Sequence, residues 1–186
     1  AVRGIRAINF VGCNVTIPHK VPVAALMDRL TPQAQIIGAV NTIRVEADGS
    51  LTGHNTDCEG AVRAVETDGG NLREKTVAII GAGGAGRGVA VGCALAGASR
   101  IIILNRTVSK AQEIIDELRG KNEVPAAIQW SALELANQGN DSPLNWADVD
   151  FVFQVSSVGM GSDQGIPLNA NLLAPHCHVL ESVYAP

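Results

Sequence analysis

A short apolar run, Thr76-Val77-Ala78-Ile79-Ile80, leads straight into Gly81-Ala82-Gly83-Gly84-Ala85-Gly86. Small and aliphatic residues follow from Arg87 to Ala96. The first run is largely β-branched and has the length of a strand buried on both faces of a parallel sheet. The last reads as a helix. The glycines therefore sit at a strand-to-helix turn, the setting in which Gly-x-Gly-x-x-Gly carries meaning. Gly81 would make the tight turn, Gly83 would let a pyrophosphate approach the backbone, and Gly86 would let helix and strand pack closely. Gly84 and Ala85 complete the loop, and the amides and dipole of the helix start favour an anion there. The alternative is a plain glycine-rich loop, and the flanks argue against it.

The next strand decides which nucleotide fits. Arg100 to Leu104 is a second buried-strand run, followed by Asn105, Arg106 and Thr107. A dinucleotide fold that takes NAD places Asp or Glu about 20 residues past the glycines, on the ribose 2′-hydroxyl. A neutral amide, a guanidinium and a hydroxyl would instead hold a 2′-phosphate, and Lys110 adds a second cation. The expected cofactor is NADP. A blander reading has Thr107 or Ser109 capping the helix from Lys110 to Leu118 with Arg106 merely solvated. The two readings are compatible.

Upstream, Cys13, Val15 and Ile17 alternate in a strand over 11–17, with Thr16 facing the other way. Pro18 suits the first turn of a helix, and Val21, Ala24, Ala25, Leu26 and Leu30 have helical spacing. His19 and Lys20 then fall at a strand-to-helix junction, where the dipole would lower the proton affinity of a lysine. An ordinary surface lysine is the competing reading. Thr31-Pro32 should break that helix. A hairpin follows, Asn41 to Val45, a turn at Asp48-Gly49, and Ser50 to Gly53. His54-Asn55-Thr56-Asp57 then introduces a helix, Glu59 to Thr67, whose N-cap could be Asp57 itself.

The stretch from Glu66 to Asn71 marks a boundary. After it strands and helices alternate, with further strands expected at 126–129, 150–155 and 178–184. That alternation argues for an α/β fold: a doubly wound parallel sheet with helices on both faces, over 71–186, preceded by a smaller α/β unit over 1–70. Aromatic residues are 3% of the 186 residues, so the core must be aliphatic. The net charge of −4 with no basic tract makes nucleic acid an unexpected partner. No apolar run reaches the roughly 20 residues of a membrane span. No signal-peptide pattern opens the chain. The four cysteines show no paired spacing, which fits unpaired thiols in the cytoplasm, and no metal site is expected.

Several of these pieces together resemble the shikimate dehydrogenase family, including its quinate/shikimate variants. They are Asn14-Val15-Thr16-Ile17-Pro18-His19-Lys20, Gly38-Ala39-Val40-Asn41-Thr42 and Asn55-Thr56-Asp57. The glycine loop, Asn105-Arg106-Thr107, Ser157-Val158-Gly159-Met160 and Val183-Tyr184-Ala185-Pro186 continue the pattern. The resemblance implies reversible hydride transfer between NADP and the ring carbon that is a ketone in 3-dehydroshikimate and an alcohol in shikimate. It implies Lys20 and Asp57 as the catalytic pair, and Thr16, Asn41, Asn55 and Tyr184 as substrate ligands. Capping or turn roles for Asn41 and Asn55, and a core role for Tyr184, remain open on residue type alone. The resemblance also places the chain as the middle of such an enzyme, a monomer or homodimer, lacking both family ends.

There are departures. Gln154-Val155-Ser156 stands where the family usually has Asn-Ala-Thr, Glu181-Ser182 replaces a common Asp-Met, and Cys58 replaces a usual glycine. Preference between shikimate and quinate is left open by the first two. A nucleotide-binding module without catalysis is the competing class. Other NADP enzymes, such as a folate-linked dehydrogenase or a tRNA-dependent glutamate reductase, could share the glycine loop but not the upstream motifs.

Overall fold

The computed structural model describes residues 1–138, 142–162 and 165–183. Strands β5 (Thr76–Ile80), β6 (Arg100–Asn105), β7 (Gln129–Glu134), β8 (Phe151–Gln154) and β9 (His178–Glu181) form one sheet. Its order is β7-β6-β5-β8-β9, and every pair is parallel. The chain order reverses at β5, so the glycine loop leaves the sheet at its topological switch point. Strand period two sends Val77, Ile79, Ile101 and Ile103 to one face, and Ala78, Ile80, Ile102 and Leu104 to the other. Both faces are buried, which is why these strands read as unbroken apolar runs.

Helices α3 (Asp57–Thr67), α4 (Gly84–Leu95) and α5 (Val108–Arg119) pack on the first face. The second face differs from expectation. Leu144, Trp146, Leu168 and Leu172 cover it from loops and short 3-10 turns at Trp146–Asp148 and Ala170–Leu172. Among the described residues no α-helix lies there. Pro143, Pro167 and Pro175 interrupt these crossovers and remove the amide donors a helix would need. Strand β7 also lies three residues beyond the expected span: residues 126–128 precede it, and Trp130 rather than an aliphatic run supplies its buried face.

The second sheet has the order β1-β3-β4-β2, from β1 (Gly12–Asn14), β2 (Arg29–Leu30), β3 (Thr42–Val45) and β4 (Leu51–His54). β3 and β4 form the expected hairpin, with Gly49 at φ +79 in its turn. The helix expected around residues 21–30 is absent. Only Ala24–Leu26 is 3-10, and Arg29–Leu30 pairs parallel with β4 instead. Pro22 disfavours helical geometry at Val21 and has no amide of its own. Thr31-Pro32 begins a helix rather than ending one. The Thr31 hydroxyl caps α2 (Pro32–Ile37) by accepting from the Ala34 amide, and proline occupies the first turn, where it has no bond to lose.

Contact between the sheets runs through α3 and α4. The buried side of α3, Cys58, Ala61 and Val65, shares its core with the larger sheet. A Cβ on Gly92 would come within 2.7 Å of the Cys58 carbonyl oxygen, so glycine there lets the two helices touch backbone to backbone. No described helix is long and apolar enough to cross a membrane.

Candidate active site

The glycine loop folds as its spacing demands. Gly81 sits at φ +119, which a side chain would strain. A Cβ on Gly86 would overlap the Gly81 carbonyl oxygen, so helix and strand could not close on each other. Around Gly83 there is open space, as an approaching phosphate requires, and Gly83 is the N-cap of α4 with extended backbone. Gly84 and Ala85 form the first turn of α4. The fit to a dinucleotide pyrophosphate is therefore one of backbone shape, with helix amides facing the anion.

The end of β6 adds the adjoining wall. Asn105 joins two stretches of backbone: its Oδ1 accepts from the Ala82 amide at 3.3 Å, and its Nδ2 donates to the Thr107 carbonyl at 2.9 Å. It thereby ties the glycine loop to the following turn. Arg106, Thr107 and Lys110 are exposed at the rim of the same cavity, a space of about 410 Å³. Thr107 is the N-cap of α5 but makes no side-chain capping bond. Two cations and a hydroxyl therefore face solvent together at this rim.

Lys20 lines that cavity from the other sheet. It does not start a helix of its own, contrary to expectation, because residues 18–23 run as turns. The helix start it meets is that of α4. A Cβ on Gly84 would be 2.7 Å from Lys20 Cβ and 3.2 Å from its Cδ, so the lysine stem lies directly on Gly84. The Lys20 carbonyl accepts from the Val40 amide at 2.7 Å, which fixes its backbone.

Lys20 Nζ donates to Asp57 Oδ2 at 2.8 Å, across 37 residues of sequence. The side chains are only 14% and 22% exposed, so the pair is partly desolvated; Lys20 lines the cavity and Asp57 is not among its lining residues. Asp57 is the first residue of α3, with Thr56 as N-cap, where a carboxylate is favoured by the helix dipole. Its second oxygen accepts from Asn41 Nδ2 at 2.9 Å. Asn41 Oδ1 accepts in turn from the Thr56 amide at 3.0 Å. Asn55 is buried; its Nδ2 donates to the Ala39 carbonyl at 3.1 Å and its Oδ1 accepts from the Asp57 amide at 3.0 Å. Asn41 thus holds the carboxylate, and Asn55 holds the backbone that carries it. Thr16 is exposed beside the Ile17–Pro18 cis peptide, and Tyr184 lies outside the described residues.

Residue types gave no hint of some of the site's supports. Gly84 makes room for Lys20. Arg87 Nε donates to the Ile37 carbonyl at 3.0 Å, placing a cation at the C-terminus of α2, and its guanidinium also pairs with Glu117 of α5. Burial, then the charges of Glu59 and Asp57, push the Cys58 thiol up, and burial raises Cys93 further. Thiols held protonated are poor nucleophiles.

Comparison with known proteins fits this geometry. A family profile described as "Shikimate dehydrogenase substrate binding domain" matches residues 1–43, and one described as "Shikimate / quinate 5-dehydrogenase" matches residues 63–138. The shikimate dehydrogenase (NADP(+)) of Geobacter metallireducens is 38% identical over the whole chain. The chain belongs to the shikimate dehydrogenase family. It spans 63% of the length of that curated relative. Among solved structures, shikimate 5-dehydrogenase of Thermus thermophilus in complex with NADP(H) and shikimate superposes with a TM-score of 0.78. It is 30% identical, and the match covers 100% of this chain and 62% of that one. A 5-ketofructose reductase of Gluconobacter, in ligand-free form, has the same score at 34% identity, covering 98% and 62%.

Proposed function

We propose that the protein of which this chain is part is an NADP-dependent shikimate dehydrogenase, which reversibly reduces 3-dehydroshikimate to shikimate. The observation that carries the reading is the Lys20–Asp57 pair, 2.8 Å apart, whose lysine lines the same cavity as the glycine loop. Residues 1–70 would supply the substrate side and residues 71–186 the cofactor side. Gly81, Gly83, Gly84, Ala85 and Gly86 would hold the pyrophosphate, and Arg106, Thr107 and Lys110 the 2′-phosphate, with Asn105 bracing both. When bound, NADPH supplies a hydride to the substrate carbonyl carbon.

The chain's own residues handle the proton. As hydride adds, negative charge develops on the carbonyl oxygen. An ammonium within hydrogen-bond reach both stabilises that charge and delivers the proton. Asp57 keeps the Lys20 head group in one place, and Asn41 and Asn55 keep Asp57 in one place, so the donor is aimed before substrate arrives. In the oxidative direction the neutral amine takes the proton back.

Shikimate is favoured over other polyhydroxylated substrates by the curated relative's name and by the upstream motif set. The 5-ketofructose reductase is a neighbour of equal TM-score, and the pair Lys20–Asp57 would suit any ketone beside hydroxyls. The test is to follow nicotinamide absorbance with NADPH and each of 3-dehydroshikimate, 3-dehydroquinate and 5-ketofructose. The reading expects turnover with 3-dehydroshikimate at the highest kcat/KM; greater efficiency on either alternative would displace it. The expected setting is cytoplasmic, and the assembly a monomer or homodimer with no nucleic-acid partner.

A further inference from the structure

Gln154 ends β8 with its polar side chain only 2% exposed. A buried carboxamide must find partners, and the ones it finds all lie in the loop just after it. Its Oε1 accepts from the Ser156 amide at 3.1 Å and from Ser156 Oγ at 2.9 Å. Its Nε2 donates to the Val158 carbonyl at 3.1 Å. Ser156 Oγ accepts in turn from the Val158 amide at 3.2 Å. One side chain therefore closes residues 154–158 into a fixed turn.

That turn lies directly on the cofactor loop. A Cβ on Gly81 would stand 2.9 Å from the Ser156 amide nitrogen, so the two backbones touch. Ser156, Ser157 and Val158 line the same cavity as Lys20. β8 flanks β5 on the side opposite β6. A dinucleotide with its pyrophosphate at Gly83 and its adenosine 2′-phosphate at Arg106 has its other half directed past the end of β8. This argument rests on the NADP reading above.

We propose that Gln154 is a positioning residue for the nicotinamide half of the cofactor cleft, acting through the 154–158 turn and not on the adenosine half. Replacement by methionine keeps the shape of the side chain and deletes its three hydrogen bonds. The probes are NADP+ and adenosine 2′,5′-bisphosphate, which carries the 2′-phosphate but no nicotinamide. In Gln154→Met, the Kd for NADP+ is expected to rise about tenfold, while that for the bisphosphate changes less than about twofold. Equal weakening of both ligands would mean a general structural role and overturn the assignment, as would no change in either.

Should Gln154→Met fail to fold, Gln154→Glu carries the test. Its carboxylate can still accept from Ser156 but repels the Val158 carbonyl. Its deficit in NADP+ binding is expected to shrink as pH falls and the carboxyl gains a proton to donate. A deficit that ignores pH, or none at all, overturns the assignment. An unaltered protein that binds neither probe overturns the dinucleotide reading itself, and this one with it.

Discussion

Gly84→Ala adds a single methyl group at the point where the two halves of the site meet. The built Cβ stands 2.7 Å from Lys20 Cβ, where ordinary contact begins near 3.4 Å. About 0.7 Å must be found by movement. It cannot come from the tip of a flexible side chain, because Lys20 Cβ is fixed to a backbone held by the Val40 amide. Either residues 18–21 lift or the start of α4 retreats, and both shift the ammonium relative to the glycine loop. A misplacement near 1 Å costs on the order of 10²-fold in rate when chemistry depends on alignment. Alanine is the better helix former by about 1 kcal/mol, so α4 itself should not suffer. Initial rates of NADPH oxidation with 3-dehydroshikimate, alongside a thermal melt, provide the assay. The expected result is a folded protein with kcat/KM lowered roughly 10²-fold. A folded variant within threefold of the unaltered protein would refute the claim that Gly84 seats the lysine.

Asn41→Ala removes one of the two hydrogen bonds to the Asp57 carboxylate outside its helix. Bonds to charged groups are each worth about 1.5–3 kcal/mol, so kcat should fall roughly ten- to hundredfold with NADP+ binding little changed, as fluorescence titration can check. Arg106→Ala should weaken NADP+ by at least about tenfold and leave NAD+ nearly untouched, measured as the ratio of the two dissociation constants. Asp150 offers a pH test. Burial opposes its ionisation, but the Lys75 ammonium and the Thr76 amide outweigh that and hold its carboxyl below the usual range. A lowered folded-state value gives stability that is present above the unfolded value of about 3.9 and is lost as pH falls through the folded value. Melting temperature should therefore drop more between pH 5 and pH 2 in the unaltered protein than in Asp150→Asn, as calorimetry would record.

The parallel sheet was legible because its strands are buried on both faces. Such strands read as continuous apolar runs, and Ile101-Ile102-Ile103 needs no partner to declare itself. The glycine loop was legible because each glycine answers a local backbone demand. The segment around residues 21–30 misled because Val21, Ala24, Ala25 and Leu26 have helical spacing, while Pro22 and pairing with β4 decide the outcome. Strand β7 is poorly marked in the sequence because Gln129, Ser131 and Glu134 hide a strand whose neighbour, β6, supplies the apolar company. Alternation alone points to helices opposite α4 and α5, but three prolines stand in the crossovers.

The site divides along similar lines. Lys20 and Asp57 were recognisable as a pair through resemblance, but their seats were not. Contact between Lys20 and Gly84 joins residues 64 positions apart, and no local rule ties a lysine to a glycine. Asn41 and Asn55 read as substrate ligands because amides suit hydroxyls. Their hydrogen bonds to Thr56, Asp57 and Ala39 add a role that residue type does not show: Asn41 braces the carboxylate and Asn55 the backbone that carries it. Gln154 stood out in the sequence only as a departure from a motif, and its three bonds within the following turn give that departure a physical meaning.

One ammonium, held by one carboxylate above the start of α4, is the feature on which the proposed chemistry turns. Steady-state turnover of Lys20→Ala with 3-dehydroshikimate and NADPH, read beside its NADP+ dissociation constant, tests it most directly. Removing a general acid lowers kcat by roughly 10²–10⁴-fold, and the cofactor should still bind. Near-normal kcat in that variant, with an unchanged pH dependence, would contradict the account.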